Sequence, residues 1–162
     1  MDLILWRHAQ AVMLTDEAGE PLPFELERDL PRVLTPKGER QAARMAEWLN
    51  QRLPASTRVL VSPARRTQQT ALALGRRSRT LDALNPLASV DDLLQAARWP
   101  DSRDPVLIVG HQPTLGLLAS RLLTGQEQPW SVRKGAVWWL RSRERDGDDQ
   151  VVLHAIVPPE LA

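Results

Sequence analysis

Three short apolar runs constrain this chain most: Leu3-Ile4-Leu5-Trp6, Val59-Leu60-Val61 and Val106-Leu107-Ile108-Val109. Each is ended by polar, glycine or proline residues and followed, at once or after a connection, by a segment of helical character. Runs of this length with no polar alternate read as strands buried on both faces. Strands that alternate with helices pair in parallel, because a helical crossover brings the chain back to the same end of the sheet. The expected fold class is therefore α/β, a three-layer α/β/α sandwich with a mainly parallel sheet.

The segments between the runs fit that plan. Thr35-Pro36 is an N-cap followed by proline at the first helical position, and the spacing predicts a helix over 36–52. Ser62-Pro63 ends the second strand and starts a helix to about Gly75, and a third strand is expected near 79–81. Ser89-Val90-Asp91-Asp92 has the form of a capping box opening a helix to about Trp99. The strand 105–109 is followed by a helix over 113–123. The last third changes character. Ala136–Leu140 and Val151–Ile156 read as strands joined through Asp146-Gly147-Asp148-Asp149, a hairpin that adds antiparallel pairing. Trp138 and Trp139 then point to opposite faces, one under a helix and the other exposed or against a partner. Residues 9–31 hold prolines, Gly19 and charges with no period, and a connection this long reads as a flap over a site.

Composition narrows the classes. A chain of 162 residues, 43% hydrophobic, supports one core, and a single domain over 1–162 is expected. With no cysteines, disulfides and thiolate metal sites are excluded. The first residues lack the pattern of a secretory signal and no apolar run has membrane-spanning length, so a cytoplasmic protein with no membrane partner is expected. A formal net charge of +1 argues against a broad nucleic-acid-binding face. The only lysines are Lys37 and Lys134. Compositional bias accounts for most of the arginines, but an arginine fork is also the side chain that best holds an oxyanion.

Polar residues of one kind recur at the ends of the strands. Arg7-His8 follows the first, Arg65-Arg66 the second, and Gly110-His111 the strand 105–109. In α/β sheets ligands bind at this edge. Two histidines and several arginines gathered there make a cationic pocket, and phosphate is its natural guest. A neutral imidazole can attack phosphorus and carry the phosphoryl group as a covalent intermediate, while arginines stabilise its spread negative charge. The arginines supply the positive charge, and no carboxylate cluster is spaced as a magnesium site, so neither metal nor cofactor is called for.

Four segments carry a resemblance: Arg7-His8-Ala9, Arg32-Val33-Leu34-Thr35-Pro36-Lys37-Gly38, Ser62-Pro63-Ala64-Arg65-Arg66-Thr67-Gln68-Gln69-Thr70 and Gly110-His111-Gln112-Pro113. In type and order they resemble the histidine phosphatase superfamily, whose members include phosphoglycerate mutases. The short length is similar to its SixA-type phosphohistidine phosphatase branch. The resemblance implies that His8 is the phosphorylated nucleophile, that His111 is a second catalytic histidine, and that Arg7 and Arg66 bind the phosphoryl oxygens. Arg32 matches a further phosphate-binding arginine of that branch, although Val33 replaces the usual proline and Arg28 lies nearby. It further implies a metal-independent phosphatase acting on a phosphohistidine-bearing protein, such as a phosphotransfer domain in signal transduction or a phosphocarrier.

The chain departs from the wider superfamily at one place. Where ester-cleaving members carry an acid after the third strand, this chain has Ala83, with Asp82 one position off. A missing general acid typically costs about 10²–10⁴-fold with a poor alkoxide leaving group. An imidazole protonated on its far nitrogen leaves without such help, so the departure favours a P–N substrate. Two alternatives remain at this point. One is a small-molecule phosphomonoesterase using Asp82 or a flap carboxylate (Glu25, Glu27 or Asp29, each read as solvated). The other is a non-catalytic phosphate- or phosphoprotein-binding module. Arg65 reads as a surface residue, His154 as structural or exposed, Trp6 as core and Trp130 as a hydrophobic anchor.

Overall fold

The computed structural model describes residues 1–162. Six strands form one sheet, β1 (Asp2–Arg7), β2 (Arg58–Val61), β3 (Arg79–Thr80), β4 (Val106–Gly110), β5 (Val137–Arg145) and β6 (Asp148–Val157), in the order β3-β2-β4-β1-β5-β6. The pairs β1–β4, β2–β4 and β2–β3 are parallel, while β1–β5 and β5–β6 are antiparallel. This is the α/β class expected, with antiparallel pairing at the C-terminal side.

The apolar runs explain the layers through the period of two along a strand. Leu3, Leu5, Leu60, Val106 and Ile108 face one side. Helices α4 (Val90–Ala97) and α5 (Thr114–Thr124) cover them through Leu93, Leu115 and Leu118. Ile4, Trp6, Val59, Val61, Leu107 and Val109 face the other. Helices α2 (Pro36–Asn50) and α3 (Arg65–Leu72) close that side through Met45, Leu49 and Ala71. Every residue of Leu3–Trp6 and Val106–Val109 is fully buried. At about 25 cal/mol per Å² of apolar surface, each such leucine or isoleucine contributes roughly 1.5–3 kcal/mol.

Local signals act as expected. Thr35 caps α2, accepting from Gly38 N at 3.0 Å. Ser89 and Asp92 form the reciprocal capping box of α4. Trp6 is core, its Nε1 donating to Gly135 O at 3.1 Å.

Some expectations change. The hairpin turn is only Asp146-Gly147, both at positive φ, so β5 and β6 run longer than expected. Neither tryptophan of β5 is left bare. Trp139 is buried with Trp48 and Trp138 packs on Trp130, ring centroids 6.0 Å apart. His154 is exposed, with its ring edge on Trp139. The flap is structured: it holds a short helix, α1 (Leu26–Asp29), and bridges Ala11–Leu34 and Thr15–Pro21. No helix is long and apolar enough to cross a membrane.

Candidate active site

Sheet order places the strand-end residues side by side. β4 lies between β1 and β2, with Arg7 opposite Gly110 and Val61 opposite Val109. The next residues are His8, His111 and Ser62, so neighbouring strands deliver all three to one edge. The His8 and His111 rings lie with centroids 5.4 Å apart, tilted by 53°. Both residues are buried.

His8 is held on every side. Its N–H donates to Gly110 O at 3.1 Å, and its carbonyl accepts from Gly135 N at 3.0 Å. Ala9 N donates to Thr70 Oγ1 at 3.1 Å and Gln10 N to Gln41 Oε1 at 2.9 Å. The segment Thr67–Thr70 thereby acquires separate duties. Thr67 and Gln68 donate to Ser62 O, Gln69 accepts from Leu34 N, and Thr70 supports Ala9. Gly38 belongs to the same frame: a Cβ there would collide with the Gln10 carbonyl, so the close approach of α2 to the residues after His8 requires glycine.

Hydrogen bonds fix the ring tautomers. His8 Nδ1 lies 2.7 Å from Ala9 O. A carbonyl only accepts, so Nδ1 carries the proton and Nε2 keeps its lone pair. His111 Nδ1 lies 3.2 Å from Arg66 Nη2, which only donates, so Nδ1 is the acceptor. His111 Nε2 then donates to Ser62 Oγ at 2.7 Å. Burial holds the His8 pKa well below its usual 6.5 against the bond to the Ala9 carbonyl, which favours the charged form, and the charges of Arg66 and Arg7 add to the lowering. Burial, then Arg66, Arg7 and Arg32, lower the pKa of His111 to about 3. Both rings are thus neutral at neutral pH.

The guanidiniums complete the cluster. Arg66 is 4% exposed; its Nη2 donates to Asp29 Oδ2 at 2.8 Å and its Nη1 to Asp29 O at 3.1 Å. Arg7 donates from Nη1 to Val132 O at 2.9 Å. The Nε–H groups of Arg7 and Arg66 are buried with no acceptor in the protein. Arg32 bonds Asp29 Oδ1 at 3.0 Å and Val12 O at 2.7 Å. Arg28 pairs instead with Glu25 at the surface, so Arg32 is the one joined to the cluster. Arg65 is exposed, as expected.

Asp29 corrects the reading of the flap carboxylates as solvated. It is 6% exposed and bridges two arginines. Only its spacing of three from Arg32 hinted at this in the sequence. Ser62, read as a strand end, turns out to orient His111. Asp82 and Ala83 are exposed in the short turn of 3₁₀ helix at Asp82–Leu84. Asp29 is the one carboxylate hydrogen-bonded to this group of histidines and arginines.

The arrangement can do specific chemistry. With both imidazoles neutral, three arginines and Asp29 leave a formal charge of +2 around an imidazole nitrogen with a free lone pair. Two buried N–H groups without acceptors suit an oxyanion carrying two negative charges.

Comparison with known proteins identifies the family. Residues 3–91 match the model of the histidine phosphatase superfamily, branch 1. The phosphohistidine phosphatase SixA of Escherichia coli is 30% identical over 138 residues, covering 80% of this chain and 78% of that protein. An uncharacterized protein of Picosynechococcus is 32% identical over 150 residues, covering 88% of this chain and 86% of its own. Among solved structures, a protein histidine phosphatase SixA complexed with tungstate superposes with a TM-score of 0.72 at 25% identity, covering 98% and 97% of the two chains. A phosphoserine phosphatase of Entamoeba histolytica shares the fold alone, at 13% identity and a TM-score of 0.64, covering 96% and 95%. The ordered strand-end motifs, the sheet that gathers them and these relatives place the chain in the histidine phosphatase superfamily, a phosphatase of SixA-like type.

Proposed function

We propose that this protein is a metal-independent phosphohistidine phosphatase that works through a covalent phospho-His8 intermediate. The observation that carries this reading is the His8 ring. Its Nδ1–H is committed to the Ala9 carbonyl, and its Nε2 lone pair is set among cationic side chains. His8 Nε2 attacks phosphorus, and the P–N bond to the substrate imidazole breaks with its electron pair returning to the substrate nitrogen. With the far nitrogen of that ring already protonated, a neutral imidazole leaves and no acid is required. Water then attacks phosphorus, the P–Nε2 bond breaks, its pair returns to His8, and phosphate departs with the remaining proton released to solvent.

In this reading Arg7 and Arg66 bind the phosphoryl oxygens through their Nε–H groups, and Arg32 adds positive charge from beside Asp29. His111 hydrogen-bonds the phosphoryl group in the transition state, where charge accumulates, by turning its Nε2–H from Ser62 Oγ to a phosphoryl oxygen. The SixA of known structure complexed with tungstate, an oxyanion, and the SixA relative named a phosphohistidine phosphatase both support this assignment. So does the place after β3, where Ala83 stands and the adjacent Asp82 makes no side-chain bond to the site group. Asp29 is poorly suited to act as the acid, because each of its oxygens already accepts from a guanidinium.

The test is incubation with a phosphohistidine-bearing protein and with alkyl phosphates, comparing wild type with His8→Ala. The expected result is hydrolysis of the phosphohistidine only, an acid-labile phosphoenzyme in wild type, and a loss on the order of 10⁴-fold or more in the variant. Undiminished hydrolysis by His8→Ala removes the covalent mechanism. Preferred turnover of alkyl phosphates moves the substrate to the small-molecule esters, and binding without any phosphoenzyme makes this a binding module.

A further inference from the structure

The connection after β1 carries more than Asp29 and Arg32. Val12, Met13 and Phe24 are 43%, 56% and 54% exposed. Single exposed apolar residues are ordinary. Met13 and Phe24, however, line one groove with Leu14 and Leu22, and the charged Glu25, Arg28, Asp29 and Arg32 line the same groove. The groove is about 140 Å³, room for one apolar side chain.

The walls of the groove are pre-formed. Leu22 N donates to Leu14 O at 3.0 Å and Asp16 N to Glu20 O at 2.8 Å, which makes the arm 14–22 a small hairpin. Asp16 Oδ1 accepts from both Ala18 N and Glu20 N, and Pro21 and Pro23 restrict the return. A pre-formed socket with Met13, Leu14, Leu22 and Phe24 in its wall costs a visitor little ordering. Its inner side is continuous with the cluster, since Asp29 reaches Arg66 and Arg66 reaches His111. A small polar phosphate ester has no apolar surface to place against Met13 and Phe24. A protein that presents a phosphohistidine does: its neighbouring side chains arrive with the phosphoryl group.

We propose that this groove is a docking socket for an apolar side chain of the phosphohistidine-bearing protein, next to the phosphorylated residue. The proposal rests on the phosphohistidine reading above. Met13 and Phe24 form the lip and decide which proteins are accepted, while His8 and the arginines treat the phosphoryl group alike whatever carries it. Contact at such a socket gives affinity through a few buried side chains, as at the centre of other protein interfaces.

The experiment uses the double variant Met13→Ser/Phe24→Ser, whose two positions are more than half exposed and therefore free of the core. Wild type and variant are assayed on a phosphohistidine-bearing protein and on the phosphoramidate ion, which has no apolar surface. The expected result is a fall in kcat/KM on the protein of about tenfold or more, through KM, with phosphoramidate turnover unchanged. A control, Leu161→Ser, at an exposed position outside the groove, leaves both rates unchanged. Equal kcat/KM on the protein overturns the docking proposal and leaves the chemistry standing. An equal fall on both substrates also overturns it, since the groove then supports the site rather than a partner. Failure of wild type on both substrates overturns the functional reading itself.

Discussion

Asp29 and Arg66 are joined by a buried ion pair, 2.8 Å long, between side chains that are 8% and 4% exposed. The pair ties the flap to the first turn of α3 and turns Arg66 so that Nη1 and Nη2 face Asp29 while Nε has no acceptor in the protein. Removing one partner of such a pair leaves an uncompensated buried charge. Asp29→Ala should therefore lose about 3–5 kcal/mol of stability, measured by denaturant unfolding. Phosphate should recover more of that loss in the variant than it adds to wild type, because it supplies the missing negative charge. A loss below about 1 kcal/mol, with no difference in the phosphate effect, shows that the pair does not hold Arg66.

Acid should unfold this protein through its histidines. His8 and His111 have folded pKa values below the unfolded 6.5, that of His111 at about 3, chiefly through burial. Below pH 6.5 the unfolded chain binds protons that the folded chain refuses, so stability falls as pH falls. For each ring the slope is up to about 1.4 kcal/mol per pH unit, it vanishes above 6.5, and for His111 it ends near pH 3. Denaturant midpoints between pH 7 and 5 should show this decline, and His111→Gln should reduce its slope. A midpoint independent of pH over that range contradicts neutral buried rings.

Arg7→Ala and Arg66→Ala should each lower kcat by about 10²–10³-fold, the usual cost of one preorganised donor aimed at developing charge. On the proposed function, the same variants should also weaken binding of inorganic phosphate, read by calorimetry. If kcat is unchanged and only KM rises, the arginines bind substrate and transition state equally.

Ser62→Ala removes the acceptor of the His111 Nε2–H, 2.7 Å away in the folded protein. The cost in stability should be about 1–3 kcal/mol, that of a buried polar group left unmade. Turnover should fall with it, and Ser62→Thr should restore part of both. Full activity in Ser62→Ala means that His111 keeps its orientation without the serine.

What could be read from the sequence was local. Leu3–Trp6 and Val106–Val109 announced buried strands because every residue in them is apolar, and Thr35-Pro36 and Ser89–Asp92 marked helix starts by capping chemistry. His8, Arg7, Arg66 and His111 could be proposed together because each follows a strand that the topology ends at one edge. Asp29 could not: its partner Arg66 is distant in sequence and its surroundings look like a polar loop. The length of β6 was hidden as well, since its first three residues, Asp148-Asp149-Gln150, are polar and exposed and read as turn. Trp138 was ambiguous because Trp130, which covers it, comes from a segment without periodicity.

The position of β4 between β1 and β2 has a consequence for when the protein can act. His111 and the carbonyl of Gly110 that fixes His8 lie about a hundred positions after it in the chain. The last pin, the amide of Gly135, comes later still. A nascent or clipped chain that stops before β4 carries His8, the proposed nucleophile, without its setting. If His8 is the nucleophile, phosphatase activity during synthesis should appear only after Gly135 has been added and β4 has paired with β1.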